Sequence, residues 1–286
     1  MADKKSVNVG LIQMSMSGDV QENLSKAIDK IQDAANQGAQ IICLPELFTT
    51  PYFPQKEKID VFHAAEKIPG PTTDELSEVS KKNKVILIGG SIFEKDGKKF
   101  YNTSIIFDGK GKILGKYRKM HVPHDPSFYE QNYFSPGDTG YKVFKTNFCN
   151  VGTLICYDQW YSEAARINAL MGAEVIFYPT AIGWRKDIEP EEGNWQDAWE
   201  KVQIGHAIAN SVIIAAENRV GVEDQMIFWG GSFACDQFGK IIARGSDKEE
   251  IIIAECDLTL GSKVEQGWRF MQNRRPETYG KIITKK

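Results

Sequence analysis

An α/β fold built on a mixed sheet system is predicted by three observations. Short apolar, β-branched runs alternate with amphipathic stretches; turn-forming residues punctuate the boundaries; and hairpin signals appear from about residue 99 onward. Parallel units and hairpins are therefore expected to share one layered sheet system.

The first run, SVNVGLIQM, reads as a strand. ENLSKAIDKIQDAANQG follows, with Leu24, Ala27, Ile28, Ile31 and Ala34/Ala35 at helical spacing and Gly38 as a C-terminal stop. AQIICLPE is a second strand and KVILIGGSIF a third. Between them TTDELSEVSKKN is a helix in which Thr72 and Glu75 have the spacing of a capping box. KFYNTSIIFDGKGKILGKYRK reads as a hairpin turning at Asp108-Gly109-Lys110-Gly111, and YKVFKTNFCNVGTLIC as another turning near Asn147. After LICYDQWY come helix SEAARINALMG, strand AEVIFYPT, a long loop, helix NWQDAWEKVQIGHAIAN, strand SVIIAAENRVG and further strands in GGSFACDQFGKIIARGSDKEEIIIAECDL. No linker, low-complexity segment or clear internal repeat divides the chain, so residues 1–286 are expected to form one domain.

Composition excludes several classes of function. Hydrophobic residues make up 42% and charged residues 26%, an ordinary globular balance. A net charge of -3 without blocks of like charge lacks the electrostatic footprint of a nucleic-acid binder, which leaves a small molecule as the expected partner. No apolar run is long enough to span a bilayer, and MADKKSVNVGLIQM passes from charge straight into a strand pattern, so a cytoplasmic protein that does not enter membranes is expected. Five cysteines without CxxC spacing predict reduced thiols to be judged one by one.

In layered α/β folds ligands gather at the carboxyl ends of strands, and three reactive side chains stand there. Glu46 follows IICLP, Lys119 follows KILGKYR, and Cys156 follows VGTLI. A carboxylate, an ammonium and a thiol can act as base, oxyanion stabiliser and nucleophile. Cys156 alone reads first as a buried core thiol, since free cysteine is among the most buried residue types. Its place at a strand-to-helix turn favours a nucleophile instead, and a helix N-terminus near YSEAAR is expected to favour the thiolate. His121 and His124 in HVPHD are close in sequence, but nothing completes a metal site around them, so no metal is expected.

PELF with Glu46, YRKMHVP with Lys119 and LICYDQWYSEAAR with Cys156 resemble, in order and spacing, the three motifs of the nitrilase superfamily of carbon-nitrogen hydrolases. The resemblance runs from GLIQM through FYEQNYFSPGD to RRPETYG. It implies a four-layer αββα sandwich, a homo-oligomer built from dimers, and no metal or organic cofactor. It also implies roles: Glu46 as general base, Cys156 as nucleophile, and Lys119 with the Tyr157 backbone N–H as oxyanion donors. Glu130, in YEQNYF, matches a second glutamate near the site. A weakly electrophilic amide or ureido carbonyl would then be hydrolysed through a covalent thioester.

Within the superfamily, CYDQWYSEAAR and DAWEKVQIGHAIAN are similar to the N-carbamoylputrescine amidase subgroup, which implies a small carbamoylated amine as substrate and a role in polyamine biosynthesis. Residues 184–200 hold six acidic side chains and two basic ones. Trp160, Trp184, Glu191 and Glu192 are accordingly expected to hold the distal ammonium through a carboxylate and an aromatic face, the alternative being a solvated acidic loop. Arg185 and Lys186 keep open a carbamoyl-amino-acid substrate, as in β-ureidopropionase, and other aliphatic amides remain alternatives. A binding protein without activity is disfavoured because Glu46, Lys119 and Cys156 are all retained.

Overall fold

The computed structural model describes residues 5–188 and 191–284. β1 (Ser6–Gln13) sends Val7, Val9 and Leu11 to one face and Ile12 to the other. α1 (Val20–Asn36) begins at Asp19, whose carboxylate accepts from the N–H groups of Gln21 and Glu22 at 2.8 and 3.0 Å. It buries Leu24, Ala27, Ile31 and Ala34, the stripe its spacing predicts, and leads into β2 (Ile41–Cys43). α2 (Pro71–Asn83) precedes β3 (Ile86–Ile88). The box expected at Thr72 and Glu75 is displaced: the cap is Gly70, whose N–H and C=O both bond the Thr73 hydroxyl. Proline at 71 explains the shift, because its fixed φ and missing donor suit the first helical position. β4 (Ile92–Asp96), β5 (Lys99–Phe107) and β6 (Ile113–Arg118) then pair as successive antiparallel neighbours.

β7 (Val143–Lys145) and β8 (Asn150–Thr153) form the second hairpin. α3 (Ser162–Leu170), β9 (Val175–Thr180), a short β10 (Gly183–Arg185) inside the expected long loop, and α4 (Trp195–Asn210) follow. SVIIAAENRVG is not one strand: it splits into β11 (Ile213–Asn218) and β12 (Val220–Glu223). The break falls where the Asn218 side chain bonds the backbone of Ile182 and Gly230. β13 (Met226–Trp229), β14 (Phe233–Cys235), β15 (Ile241–Arg244), β16 (Glu250–Asp257) and α5 (Thr259–Trp268) complete the order.

Two large sheets result. The first runs β16-β1-β2-β3-β5-β4 with β6 beside β5, the second β15-β14-β11-β9-β8-β7, and a small sheet β10-β13-β12 closes one end. In each large sheet three neighbouring strands are parallel, β1-β2-β3 and β8-β9-β11. The sheets face each other through Val9, Leu11, Ile41 and Ile88 on one side and Val151, Val175, Phe177 and Ile213 on the other. Each such fully buried aliphatic or aromatic side chain contributes about 1.5–3 kcal/mol. α1 and α2 cover the outer face of the first sheet, and α4 that of the second with α3 beside it. The architecture is the four-layer αββα sandwich. All five cysteines are buried and unpaired. Among the described residues no helix is long and apolar enough to cross a membrane.

Candidate active site

Glu46 leaves the first sheet just after β2, where Leu47 turns the chain at φ 48°. That left-handed value costs a non-glycine residue about 1–2 kcal/mol. The turn packs directly on Gly90, where a Cβ would lie 2.1 Å from the Pro45 carbonyl oxygen. Lys119 follows β6 immediately, and its Nζ donates to Glu46 Oε1 at 2.7 Å and to Glu130 Oε1 and Oε2 at 2.8 and 2.7 Å. Asn102 Nδ2 donates to Glu46 Oε1 at 2.7 Å, and the Tyr52 hydroxyl to Glu130 Oε1 at 2.6 Å. Glu46, Lys119 and Glu130 are fully buried. Glu46 Oε2 makes no hydrogen bond, so one carboxylate oxygen remains able to take a proton.

Cys156 comes from the second sheet, just beyond β8, at φ 43° and at the head of a 3-10 turn, Cys156–Trp160. Asp158 holds this turn. It accepts from the Ile155 N–H at 2.9 Å, the Tyr117 hydroxyl at 2.7 Å and the His121 N–H at 3.0 Å, and its carboxylate lies 2.7 Å from His121 Nδ1. The His121 ring stacks on Tyr161 with centroids 3.6 Å apart, so this histidine braces the turn that carries Cys156. Gln159 is equally internal, its Oε1 accepting from Trp199 Nε1 at 2.8 Å. The Tyr157 N–H stands at the second position of the turn, within the first residues where a helix leaves its donors unused.

Electrostatics correct one expectation. Burial pushes the Cys156 thiol well above its ordinary value, and the Glu46 carboxylate pushes it further, against a smaller opposing pull from Lys119. The resting group is a neutral thiol, because the short turn and the later start of α3 do not offset burial beside two carboxylates. Burial alone would discharge Lys119, but Glu130 and Glu46 outweigh it and hold the ammonium charged. Burial likewise raises Glu130 above the carboxylate range, with Lys119 opposing. The arrangement can therefore pass a thiol proton to a carboxylate as the sulfur attacks, beside a fixed cation for developing negative charge.

Above the sulfur opens a cleft of about 630 Å3, walled by Tyr157, Trp160, Arg185, Glu191, Glu192 and Trp195 among others. Trp160, Glu191 and Glu192 thus line the cleft that contains Cys156. Trp184 does not: it stacks on Trp195 at 6.0 Å, packs against Trp229 and faces a different depression. Strand β10 pairs Trp184 with Ile227 and so turns alternate side chains to opposite faces, leaving Arg185 on the cleft. Of the acidic loop, Glu189 lies outside the described residues.

Comparison with known proteins decides the family. The family model for carbon-nitrogen hydrolases matches residues 8–266. The chain belongs to the carbon-nitrogen hydrolase family. This carbon-nitrogen hydrolase is 40% identical to the N-carbamoylputrescine amidase of Solanum lycopersicum, over 99% of the chain and 97% of that protein. It is 36% identical to the citrullinase of Francisella tularensis, over 98% and 99% of the two chains. A carbon-nitrogen hydrolase structure from Helicobacter pylori superposes with a TM-score of 0.94 at 37% identity, covering 98% of this chain and 99% of that one.

Reading the sequence alone misses several buried polar partners of this hydrolase: Asn102 and Tyr52, Arg219 with Glu223, and Glu217. ENR at the end of β11 carries a signal, three polar residues closing an apolar strand. Glu217 is fully buried and neither oxygen has a hydrogen-bond partner. Burial pushes its carboxyl well up, with Arg219 opposing and Glu46 adding. The folded state therefore keeps a proton that the unfolded chain releases near pH 4.3, so this group costs stability as pH rises, by up to about 1.4 kcal/mol per pH unit until its own folded pKa is reached. Glu217→Gln is expected to raise the urea midpoint at pH 8 and to leave it nearly unchanged at pH 4. Equal midpoints at pH 8 would show that Glu217 is ionised and compensated.

Proposed function

We propose that this carbon-nitrogen hydrolase cleaves the ureido C–N bond of N-carbamoylputrescine, giving putrescine, carbon dioxide and ammonia, as a step of polyamine biosynthesis. The observation that carries the reading is the cleft above Cys156, whose lip combines Glu191 and Glu192 with the indoles of Trp160 and Trp195. Carboxylates and aromatic faces suit a distal ammonium on a short aliphatic chain. The plant relative at 40% identity supports the same substrate.

In this reading Sγ of Cys156 attacks the ureido carbon while Glu46 Oε2 takes the thiol proton. The carbonyl oxygen gains negative charge and is met by Lys119 Nζ and the Tyr157 N–H. Glu46 returns the proton to the departing nitrogen as the tetrahedral carbon collapses to a thioester. Water, deprotonated by the same carboxylate, then attacks the thioester carbon; the C–S bond breaks, Glu46 returns the proton to sulfur, and the carbamic acid set free splits into carbon dioxide and the second amine. Glu130 shares Lys119 with Glu46 and keeps the ammonium charged while Glu46 becomes neutral.

A second reading, a ureido amino acid, is favoured by Arg185 on the cleft wall and by the citrullinase relative. Against it, the Arg185 guanidinium is already engaged by Asp187 at 3.2 and 2.7 Å. The deciding experiment is a kcat/KM panel of N-carbamoylputrescine, citrulline, N-carbamoyl-β-alanine, butylurea and simple amides. N-carbamoylputrescine is expected to lead, and Glu192→Gln with Glu191→Gln to raise its KM about tenfold, the worth of roughly 1.4 kcal/mol. If butylurea, which lacks the ammonium, is turned over equally well, the distal-amine reading fails.

A further inference from the structure

Arg219 joins β11 to β12 and is completely buried. Its Nη2 donates to the backbone carbonyls of Glu46 at 2.6 Å and Leu47 at 3.0 Å. Its Nη1 donates to the Thr50 carbonyl at 3.3 Å and to Glu223 Oε1 at 2.7 Å. Three carbonyls of one turn thus converge on a single guanidinium, packed beside the rings of Tyr52 and Phe228. Only a planar fork can serve so many acceptors from one position; a lysine ammonium has three donors on one atom. The peptide unit after Glu46 sits on a left-handed turn at Leu47, and its orientation sets the direction in which the Glu46 side chain leaves the backbone.

The same group reaches the far side of the site. Glu223 Oε2 accepts from the Tyr52 N–H, the Tyr52 hydroxyl donates to Glu130, and Glu130 accepts from Lys119, which also bonds Glu46. The connections close into a ring that begins and ends at Arg219. We infer that Arg219 is a positioning residue: it fixes the Glu46 turn through main-chain carbonyls and, through Glu223 and Tyr52, aligns Glu130 on the opposite side of Lys119. Arg219 is not among the walls of the cleft and touches no reacting atom. The inference rests on the reading of Glu46 as the acceptor of the Cys156 proton.

Arg219→Lys keeps the charge and removes the fork. Displacement of a reacting group by about 1 Å commonly costs on the order of a hundredfold in rate. The variant is expected to lose about that factor in kcat with KM within threefold of wild type, and its Cys156 is expected to react more slowly with iodoacetamide. Both are expressed per folded site, counted from the folded fraction given by circular dichroism and not from total thiol, so that unfolded protein does not enter. A purely structural arginine would lower Tm and the number of sites while leaving kcat and labelling rate per site at wild-type values, and that result would overturn the inference.

If Arg219→Lys does not fold, Tyr52→Phe tests the other branch of the ring. The Tyr52 hydroxyl favours ionised Glu130. Its removal is expected to lower kcat about tenfold, an intermediate loss for a shift of well under the 1 Å that costs a hundredfold, and to move the acidic limb of the pH profile upward. A wild-type profile and kcat would likewise overturn the inference. Cys156→Ser and Glu46→Gln run in parallel: if they stay active, the reading of the triad has failed, independently of Arg219.

Discussion

Replacing Cys156 by serine is expected to abolish turnover, with kcat falling by at least about 10^4-fold, as removal of an acyl-transfer nucleophile does elsewhere. The cause lies in the proton. Burial and Glu46 already raise the thiol well above its ordinary value, and a hydroxyl is a far weaker acid, so a carboxylate base is left with a transfer it cannot drive. Serine is nearly isosteric, and thermal stability should stay within about 1 kcal/mol of wild type. Ammonia release measured beside a thermal melt checks both halves. A variant within tenfold of wild type would remove Cys156 from the chemistry.

The second large effect belongs to Lys119→Met, and it is felt in both rate and stability. Loss of one oxyanion donor costs about 10^2–10^3 in kcat. The fold also loses the cation between two fully buried carboxylates, Glu46 and Glu130. Breaking such an arrangement by removing one partner typically costs about 3–5 kcal/mol, because charge is left uncompensated. The sign with pH follows. Without the ammonium, Glu130, already raised by burial, holds its proton in the folded state to higher pH than in the unfolded chain, so the variant weakens as pH rises from the ordinary carboxylate range near 4.3. Urea midpoints at pH 5 and pH 8 measure it. A midpoint at pH 8 equal to that of wild type would mean that the two glutamates do not depend on Lys119.

What the sequence discloses about the site follows from where each residue sits. Glu46, Lys119 and Cys156 each stand within three residues of the end of a strand, and that position is visible without coordinates. Asn102 lies in the middle of β5 and Tyr52 in an irregular loop, so neither periodicity nor a turn signal marks them. Asp158 and Gln159 stand in the motif as markers of a subgroup, yet in space they anchor the Cys156 turn, and of the three only Trp160 faces the cleft. The face that Trp184 takes is not visible in the sequence, because it depends on β10, a three-residue strand whose pairing with β13 is set by tertiary structure. The layered fold was legible for the opposite reason: α1 and the long strands carry enough apolar residues at fixed spacing to declare their buried faces locally.

The pairing of β16 with β1 runs unbroken from Ser6 opposite Asp257 to Gln13 opposite Glu250. During synthesis this makes the first strand wait for the last. At about 5–20 residues per second, β1 emerges from the ribosome with one flank bare for on the order of tens of seconds before its partner exists. Through that interval a row of unpaired backbone donors and acceptors, alternating with Val7, Val9 and Leu11, can recruit strands from other chains. Nascent chains that stall or are truncated before Glu250 keep that flank open permanently. Such chains are expected to aggregate or to be captured by chaperones, even though every residue of the Glu46, Lys119 and Cys156 cluster has already been made.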